Sequence, residues 1–334
     1  MLLARSKFYV IISALIFALF SIYRLSMNVL TTDEERFISD FFILIDDGDV
    51  KFQYVLVNYY FSILYKISPY ANVIINIVLT FWLGSKFIET FGWNNNINWN
   101  GISKGYFLVL FLLPANVFFM SAFLRDYHVF LVSLLVMILL KDERYLFFFF
   151  CTLFSILLRT ESFLFFVLAF FFSKYRFNFL RFIPLVFVLY YFLIMYTPLF
   201  DTIVVKTIAL QNETQGLGVF QLPFNKGNAF LSSLLNWPMF FFPMFVFELK
   251  TIFHYFFLLD SLMSFAMVLM AVVLYSRDTF SQDRVYRFSA YMICLAFVAA
   301  IAETNALTII RHKIMYMPFI FYLAFSNFRY KFTL

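Results

Sequence analysis

Charged residues are scarce in this chain. Only 13% of its 334 residues are Asp, Glu, Lys or Arg, whereas 63% are hydrophobic and 24% are aromatic. An ordinary soluble domain carries about 25% charged residues. A folded chain of this size leaves much of its surface in water, so a soluble fold is excluded. We expect a single integral membrane domain over residues 1–334.

The residue types that build disulfides, zinc sites and phosphate loops are also rare. The two cysteines, Cys151 and Cys294, lie in separate apolar runs, where small core residues are expected. The three histidines have no second His or Cys at metal-ligand spacing. The eight glycines form no phosphate-binding loop, and neither H-E-x-x-H nor G-x-S-x-G occurs. Nucleotide-loop, zinc-protease and serine-hydrolase chemistry are therefore excluded.

Long apolar runs predict an all-α, polytopic bundle of transmembrane helices with about 9–12 spans. The candidate spans are 8–26, 53–69, 72–90, 105–122, 127–140, 145–158, 162–173, 181–200, 236–249, 256–276, 286–303 and 313–327. The net charge of +6 comes from basic residues at the ends of these runs. That pattern favours membrane orientation over nucleic-acid binding.

Lys and Arg clusters predict which side of the membrane each loop faces. Segments 141–144, 174–181 and 277–287 and the C-terminal tail are basic, so we expect both termini in the cytoplasm of a bacterial inner membrane. Loops 27–52, 123–126, 159–161, 201–235 and 303–312 then lie outside. The alternation fails unless 53–69 is an interfacial segment or 91–104 lies on the other side. Both alternatives remain open.

The loop at 27–52 is unusually acidic. The stretch "TTDEERFISDFFILIDDGD" (31–49) holds 7 of the 19 acidic residues of the chain. Its apolar residues have helical spacing, which predicts a short interfacial helix with Asp33, Glu34 and Glu35 in its first turn. A helix-capping role for these acids and a solvated loop are the simpler alternatives.

The N-terminal part of the chain has a recognisable order of segments. A first span is followed by Asp-Glu-x-Arg-Phe, an apolar helix, Gly-Asp, and tyrosines before the next span. It resembles the first extracytoplasmic loop of the C-superfamily membrane glycosyltransferases, which include protein O-mannosyltransferases and bacterial aminoarabinose transferases. The resemblance implies that a sugar passes from a polyprenyl-phosphate carrier to a glycan or lipid acceptor in cell-surface polysaccharide synthesis. It also implies that Asp33 and Glu34 are catalytic, with Asp49 in a supporting role. Whether a divalent metal takes part stays open.

A lipid phosphate needs cations beside an apolar groove, and three groups are candidates. Arg125, Arg159 with Glu161, and the run Arg311, His312 and Lys313 all fall on the expected outer side. The alternative is that each arginine pairs with a neighbouring acid: Arg125 with Asp126, Arg159 with Glu161, and Arg311 with Glu303.

Two other functions compete with sugar transfer. The "LRD…LLR-x-E" and "R-H-K-x-x-Y-x-P" segments also resemble O-antigen and capsule polymerases. A polysaccharide flippase or transporter is the non-enzyme alternative. Such proteins show internal repeats, broken helices and charges within spans. The sequence has no visible repeat, and its charges lie at span ends, which favours an enzyme.

Overall fold

The computed structural model describes residues 2–26, 52–91, 110–122, 125–175, 188, 191–192, 252–273, 283–299 and 306–332. Every regular element in these ranges is a helix, so the predicted all-α class is confirmed for them. The helices are α1 (Leu2–Ser26), α2 (Phe52–Ile67), α3 (Ala71–Phe91), α4 (Pro114–Ser121), α5 (Asp126–Lys141), α6 (Tyr145–Leu158), α7 (Thr160–Lys174), α8 (Ile252–Val273), α9 (Arg284–Ala299), α10 (Ala306–Lys313) and α11 (Met317–Phe332).

Two of the described helices are long and apolar enough to cross a membrane. These are α3 and the Tyr255–Val273 part of α8, and the bent pair α4 and α5 makes a third if it forms one span. Three shorter apolar helices cover Ile11–Arg24, Tyr145–Leu158 and Ser162–Lys174. This content is compatible with a membrane protein, whereas the full count of 9–12 spans stays a prediction.

The chain divides into two compact units, Met1–Leu164 and Phe165–Leu334. In the first unit, α3 is the central helix and packs against α1, α2, α4 and α5. The side chains of Phe17, Phe87, Phe111 and Phe130 are buried there. A Cβ at Gly84 would lie 2.9 Å from the Phe111 ring, so glycine permits the close approach of that ring to α3.

Helices α5 and α6 form an antiparallel hairpin. The charged turn at 142–144 joins them, and Glu143 adopts a left-handed backbone with a φ of 57°. The backbone N–H groups of Asp142 and Arg144 donate to the carbonyls of Ile138 and Leu139 at 2.9 Å, which closes the end of α5. The hairpin brings the start of α5 next to the end of α6, and this positions the site described below.

In the second unit, α11 packs against both α8 and α9. A short 3₁₀ turn, Ile314–Tyr316, links α10 to α11 and interrupts an otherwise continuous helix. Phe288 and Phe319 pack edge to face with ring centroids 5.7 Å apart. Lys313, the last residue of α10, is fully buried inside this packed unit.

Outward-facing surfaces of the described helices are strongly apolar. Trp82 on α3, Phe150 on α6 and Leu269 on α8 are each more than half exposed. Many exposed large apolar side chains on these helices suit contact with lipid. Inside the units, buried hydroxyls donate to carbonyls three or four residues earlier, as Ser21 does to Phe17 at 2.7 Å.

Candidate functional site

Helices α4 and α5 meet at a sharp break within the first unit. Their axes differ by 117°, and Ala122 has an extended backbone with a ψ of 147°. Met120, Ser121 and Ala122 are all fully buried. A helix end leaves carbonyl groups without helical partners, and burying such groups is costly unless other donors satisfy them.

Two asparagines of α3 supply those donors. Asn72 Nδ2 donates to the carbonyl of Ala122, and Asn76 Nδ2 donates to the carbonyl of Met120, both at 2.8 Å. Both side chains are fully buried, and their four-residue spacing puts them on the same face of α3. We call this pair the amide clamp. It stabilises non-helical backbone in an apolar environment.

The polar face of α3 continues one turn beyond the amide clamp. The Thr80 hydroxyl lies 2.6 Å from the Asn76 carbonyl and 2.7 Å from the Tyr127 hydroxyl. Tyr127 is the second residue of α5 and is fully buried. One polar stripe on α3 therefore contacts both sides of the break.

A buried ion pair lies at the start of α5. Arg159, the residue after α6, donates through Nη2 to Oδ1 of Asp126, the first residue of α5. Both side chains are buried. The α5 N-terminus also favours the negative charge of Asp126. A charge-assisted bond of this kind holds the guanidinium in one orientation, with further N–H groups directed elsewhere.

Arg24 brings the end of α1 to the same break. Its guanidinium is buried, donates to the Ser121 hydroxyl at 3.3 Å, and lies 4.7 Å from the centre of the Phe118 ring. A cation over an aromatic face is stabilised by the ring quadrupole. Helix α1 ends two residues later, at Ser26, so its end lies beside the break.

The second unit contains a buried ion pair of its own. Lys313 Nζ donates to Oδ2 of Asp260, and both side chains are fully buried. Asp260 lies within the apolar α8, and its backbone carbonyl accepts a bond from Ser264 at 2.7 Å. The pair ties α8 to the 3₁₀ turn that follows Lys313. Ionisable groups within apolar helices are costly and usually functional.

The structure brings together some of the predicted site residues. Arg125 immediately precedes Asp126, so the predicted cations Arg125 and Arg159 lie at the same break. Sequence proximity predicts Glu161 as the partner of Arg159, whereas the described contact joins Arg159 to Asp126, because the α5–α6 hairpin brings these residues together.

Other predictions concern residues that the structure places differently or does not describe. Arg311 and His312 are partly buried on α10, while Lys313 is buried against Asp260. Asp33, Glu34, Asp49 and the predicted interfacial helix lie outside the described residues, as do Glu303 and the loop at 201–235. The Glu161 backbone belongs to α7, but its side chain also lies outside the described part.

Sequence reasoning overlooked several residues of these two sites. The amide clamp and Thr80 recur every four residues in the apolar stretch "NVIINIVLT", and Asp260 is the single acid in α8. Both signals were visible as isolated polar residues within apolar helices. The groups that these polar residues contact could not be identified from the sequence, because the carbonyls at the break and Lys313 are distant in sequence.

Removing one arm of the amide clamp is expected to destabilise the first unit. In Asn76→Ala the Met120 carbonyl loses its side-chain donor, and a buried unsatisfied group costs about 1–3 kcal/mol. Thermal unfolding of the purified protein in detergent measures the change. Val78→Ala, at a largely exposed position of the same helix, is the control and is expected to change stability by less than about 0.5 kcal/mol. Equal stability of the two variants would contradict a clamp.

Comparisons with known proteins add no family to this geometry. The described residues contain no group of three or more His, Cys, Asp or Glu side chains placed to hold a metal ion. No protein-family model, curated protein or solved structure matches the chain.

Proposed function

We propose that this protein is an integral membrane glycosyltransferase. It moves a sugar from a polyprenyl-phosphate carrier to an extracytoplasmic glycan or lipid acceptor in cell-surface polysaccharide synthesis. One observation carries the proposal: the buried Arg159–Asp126 pair lies at a helix break of the first unit, and Arg24, near the end of α1, contacts the same break. This break supplies cations within an apolar unit, and the acidic segment that holds Asp33 and Glu34 follows α1 in the sequence.

In the proposed reaction, the carboxylates act on the acceptor hydroxyl and the arginines bind the phosphate of the donor. The acceptor hydroxyl oxygen attacks the anomeric carbon, the bond from that carbon to the phosphate oxygen breaks, and the lipid phosphate leaves with the electron pair. Asp33 takes the hydroxyl proton, with Glu34 beside it, as general-base chemistry requires. Arg125 and Arg159 bind the phosphate, and the Asp126 contact orients the Arg159 guanidinium.

The length of chain between α1 and Asp33 is compatible with this arrangement. Asp33 lies seven residues after Ser26, so its Cα is within about 25 Å of the end of α1. Arg24, two residues before Ser26, contacts the break directly. Asp49 belongs to the same acidic segment of the sequence. Arg311, His312 and Lys313 belong to the second unit, where Lys313 pairs with Asp260, so their binding of a donor phosphate stays a prediction from the sequence.

A flippase or transporter of lipid-linked sugars is the second candidate function. The broken α4–α5 pair and the buried Asp260 of α8, paired with Lys313 of α10, favour it, because discontinuous helices and buried charges within spans are common in transporters. These features were not visible as such in the sequence, where the charges appeared to lie at span ends.

Substitution of Asp33 tests the proposed transfer. Asp33→Asn keeps the shape of the side chain but removes the base, and we expect sugar transfer to fall by about 10²-fold or more at an unchanged membrane level. The measurement is the surface glycan in cells that carry only the variant, together with the lipid-linked sugar that accumulates. Asp47→Asn, in the same acidic segment, is the matched control and is expected to leave both unchanged.

Three other outcomes are informative. If Asp33→Asn is silent while Arg159→Lys and Arg311→Lys shorten the glycan chains, the protein is a repeat-unit polymerase. If Asp33→Asn is silent and Asp260→Asn traps lipid-linked sugar on the cytoplasmic leaflet, it is a transporter. If every variant leaves surface glycans unchanged, the function does not involve glycans.

A further inference from the structure

The chain leaves α1 and enters α3 at the same end of the first unit. Arg24, near the end of α1, contacts Ser121, and Asn72, near the start of α3, contacts Ala122. Ser121 and Ala122 are consecutive residues. Because α1 also packs along α3, the two helices run antiparallel, and residues 27–70 connect their adjacent ends.

This connection must cross the membrane an even number of times. Helix α3 is one of the two described helices that qualify as spans by themselves, so its first residues lie at one face of the membrane. The chain leaves α1 at that same face. Residues 27–51 contain no stretch longer than six residues without Asp, Glu, Lys or Arg, and a span needs about 20 apolar residues. The sequence therefore predicts no span within 27–51, and with an even number of crossings the single helix α2 is then expected not to cross.

The composition of α2 suits a helix that does not cross. It has 16 residues, fewer than a span needs, and Lys66 lies in its last turn. One side packs through Val57, Phe61 and Leu64 against the first turns of α3, and α2 also packs against α6. The other side is exposed and combines aliphatic and tyrosine side chains, namely Leu56, Tyr59, Tyr60, Ile63, Ile67 and the following Tyr70.

We infer that α2 is an interfacial helix whose exposed side binds the boundary between the headgroups and acyl chains of the membrane. Tyrosine combines an apolar ring with a polar hydroxyl and is enriched at this boundary. Lys66 reaches the headgroups through its aliphatic stem. The partner is the lipid surface, and the inference does not depend on the proposed glycosyltransferase activity.

Depth measurements on α2 test this inference. Single cysteines at Leu56, Tyr59, Ile63 and Ile67, in a Cys151→Ser, Cys294→Ser background, carry an environment-sensitive fluorophore in reconstituted vesicles. Lipids with quenchers at a shallow or a deep position report the depth of each site. An interfacial helix places all four sites at one shallow depth. A crossing helix separates Leu56 from Ile67 by about 16 Å, and such a gradient overturns the inference.

Ile74, Val78 and Trp82 provide the matched series, because they are exposed positions on α3. Cysteines there are expected to show depth that increases along the helix. A flat profile on both helices would mean that the quenching method fails to resolve depth, and labelling of intact cells with a membrane-impermeant maleimide then decides. Labelling of both Leu56→Cys and Ile67→Cys from outside supports the inference, and labelling of only one overturns it.

Lysine substitution gives a test that needs no labelling. Tyr59→Lys and Ile67→Lys place a charge at the interface, and we expect membrane levels to stay within about twofold of the unsubstituted protein. Val78→Lys places the charge on the hydrocarbon-facing side of α3, where it is strongly disfavoured, and its level is expected to fall at least fivefold. Equal losses from α2 and α3 overturn the inference.

Discussion

Replacing Asp126 by leucine is expected to destabilise the first unit by about 3–5 kcal/mol, the usual cost of breaking a buried ion pair. The substitution leaves the buried Arg159 guanidinium without this carboxylate. A loss of that size is a large part of the stability of a typical domain, about 5–15 kcal/mol. The protein level in the membrane is expected to fall more than tenfold, and denaturant unfolding in detergent measures the difference directly.

The double variant Asp126→Leu, Arg159→Met separates stability from function. An apolar pair of similar volume can replace a buried ion pair at little cost, so most of the lost stability is expected to return. Under the proposed function, surface glycans stay absent, because the phosphate-binding guanidinium is gone. Normal glycans with a stable double variant would mean that the pair is structural only, and a double variant as unstable as Asp126→Leu would mean that the two residues are not coupled.

Replacing Lys313 by methionine is expected to produce the second largest effect, again about 3–5 kcal/mol. The Asp260 carboxylate then remains in the interior of the second unit without the ammonium group of Lys313. We expect the double variant Lys313→Met, Asp260→Leu to recover most of this stability. Unfolding of the single and double variants gives the coupling energy.

An exposed ion pair provides the control for both sets of single and double variants. Lys86 and Glu89 on α3 lie 3.5 Å apart, with side chains 50% and 51% exposed. Exposed pairs of this kind contribute about 0–1 kcal/mol. Lys86→Met is therefore expected to change stability little. If Lys313→Met lowers the free energy of unfolding no more than Lys86→Met does, the predicted contribution of the buried Asp260–Lys313 pair is contradicted.

A transporter would give a different result in the second cycle. If Asp260 and Lys313 carry a coupling or substrate charge, the stable double variant loses transport although it folds. If the pair only ties α8 to the 3₁₀ turn, the double variant keeps full function. The comparison distinguishes these roles without knowledge of the transported molecule.

Local sequence patterns predicted several of the described helices, whereas the expected span 105–122 is interrupted at 112–113. The apolar run at 145–158 coincides with α6, and the run at 127–140 lies within one residue of α5 at each end. The basic "KDER" stretch correctly marked the turn between them. Apolar runs and charged turns are properties of neighbouring residues, so they can be read without knowing how helices pack.

The contacts of the polar residues could not be predicted from local sequence patterns. Arg159 was a candidate cation, but its contact with Asp126 lies 33 residues away, and Lys313 contacts Asp260 across 53 residues. Asn72 and Asn76 appeared only as polar interruptions of an apolar run. Their role requires the α4–α5 break, whose carbonyls need buried donors.

The sequence by itself determined the apolar composition and predicted the helical class that the described residues have, with several helices apolar enough for a membrane. It also marked the acidic segment that holds Asp33 and Glu34 as the origin of the functional hypothesis. Only the tertiary structure decided which charges are buried together, where a helix breaks, and that α1 ends where α3 begins. The physical reason is that hydrophobic burial is specified residue by residue along each helix. Ion pairs and capped carbonyls instead depend on helix packing, which brings together groups that are far apart in the chain.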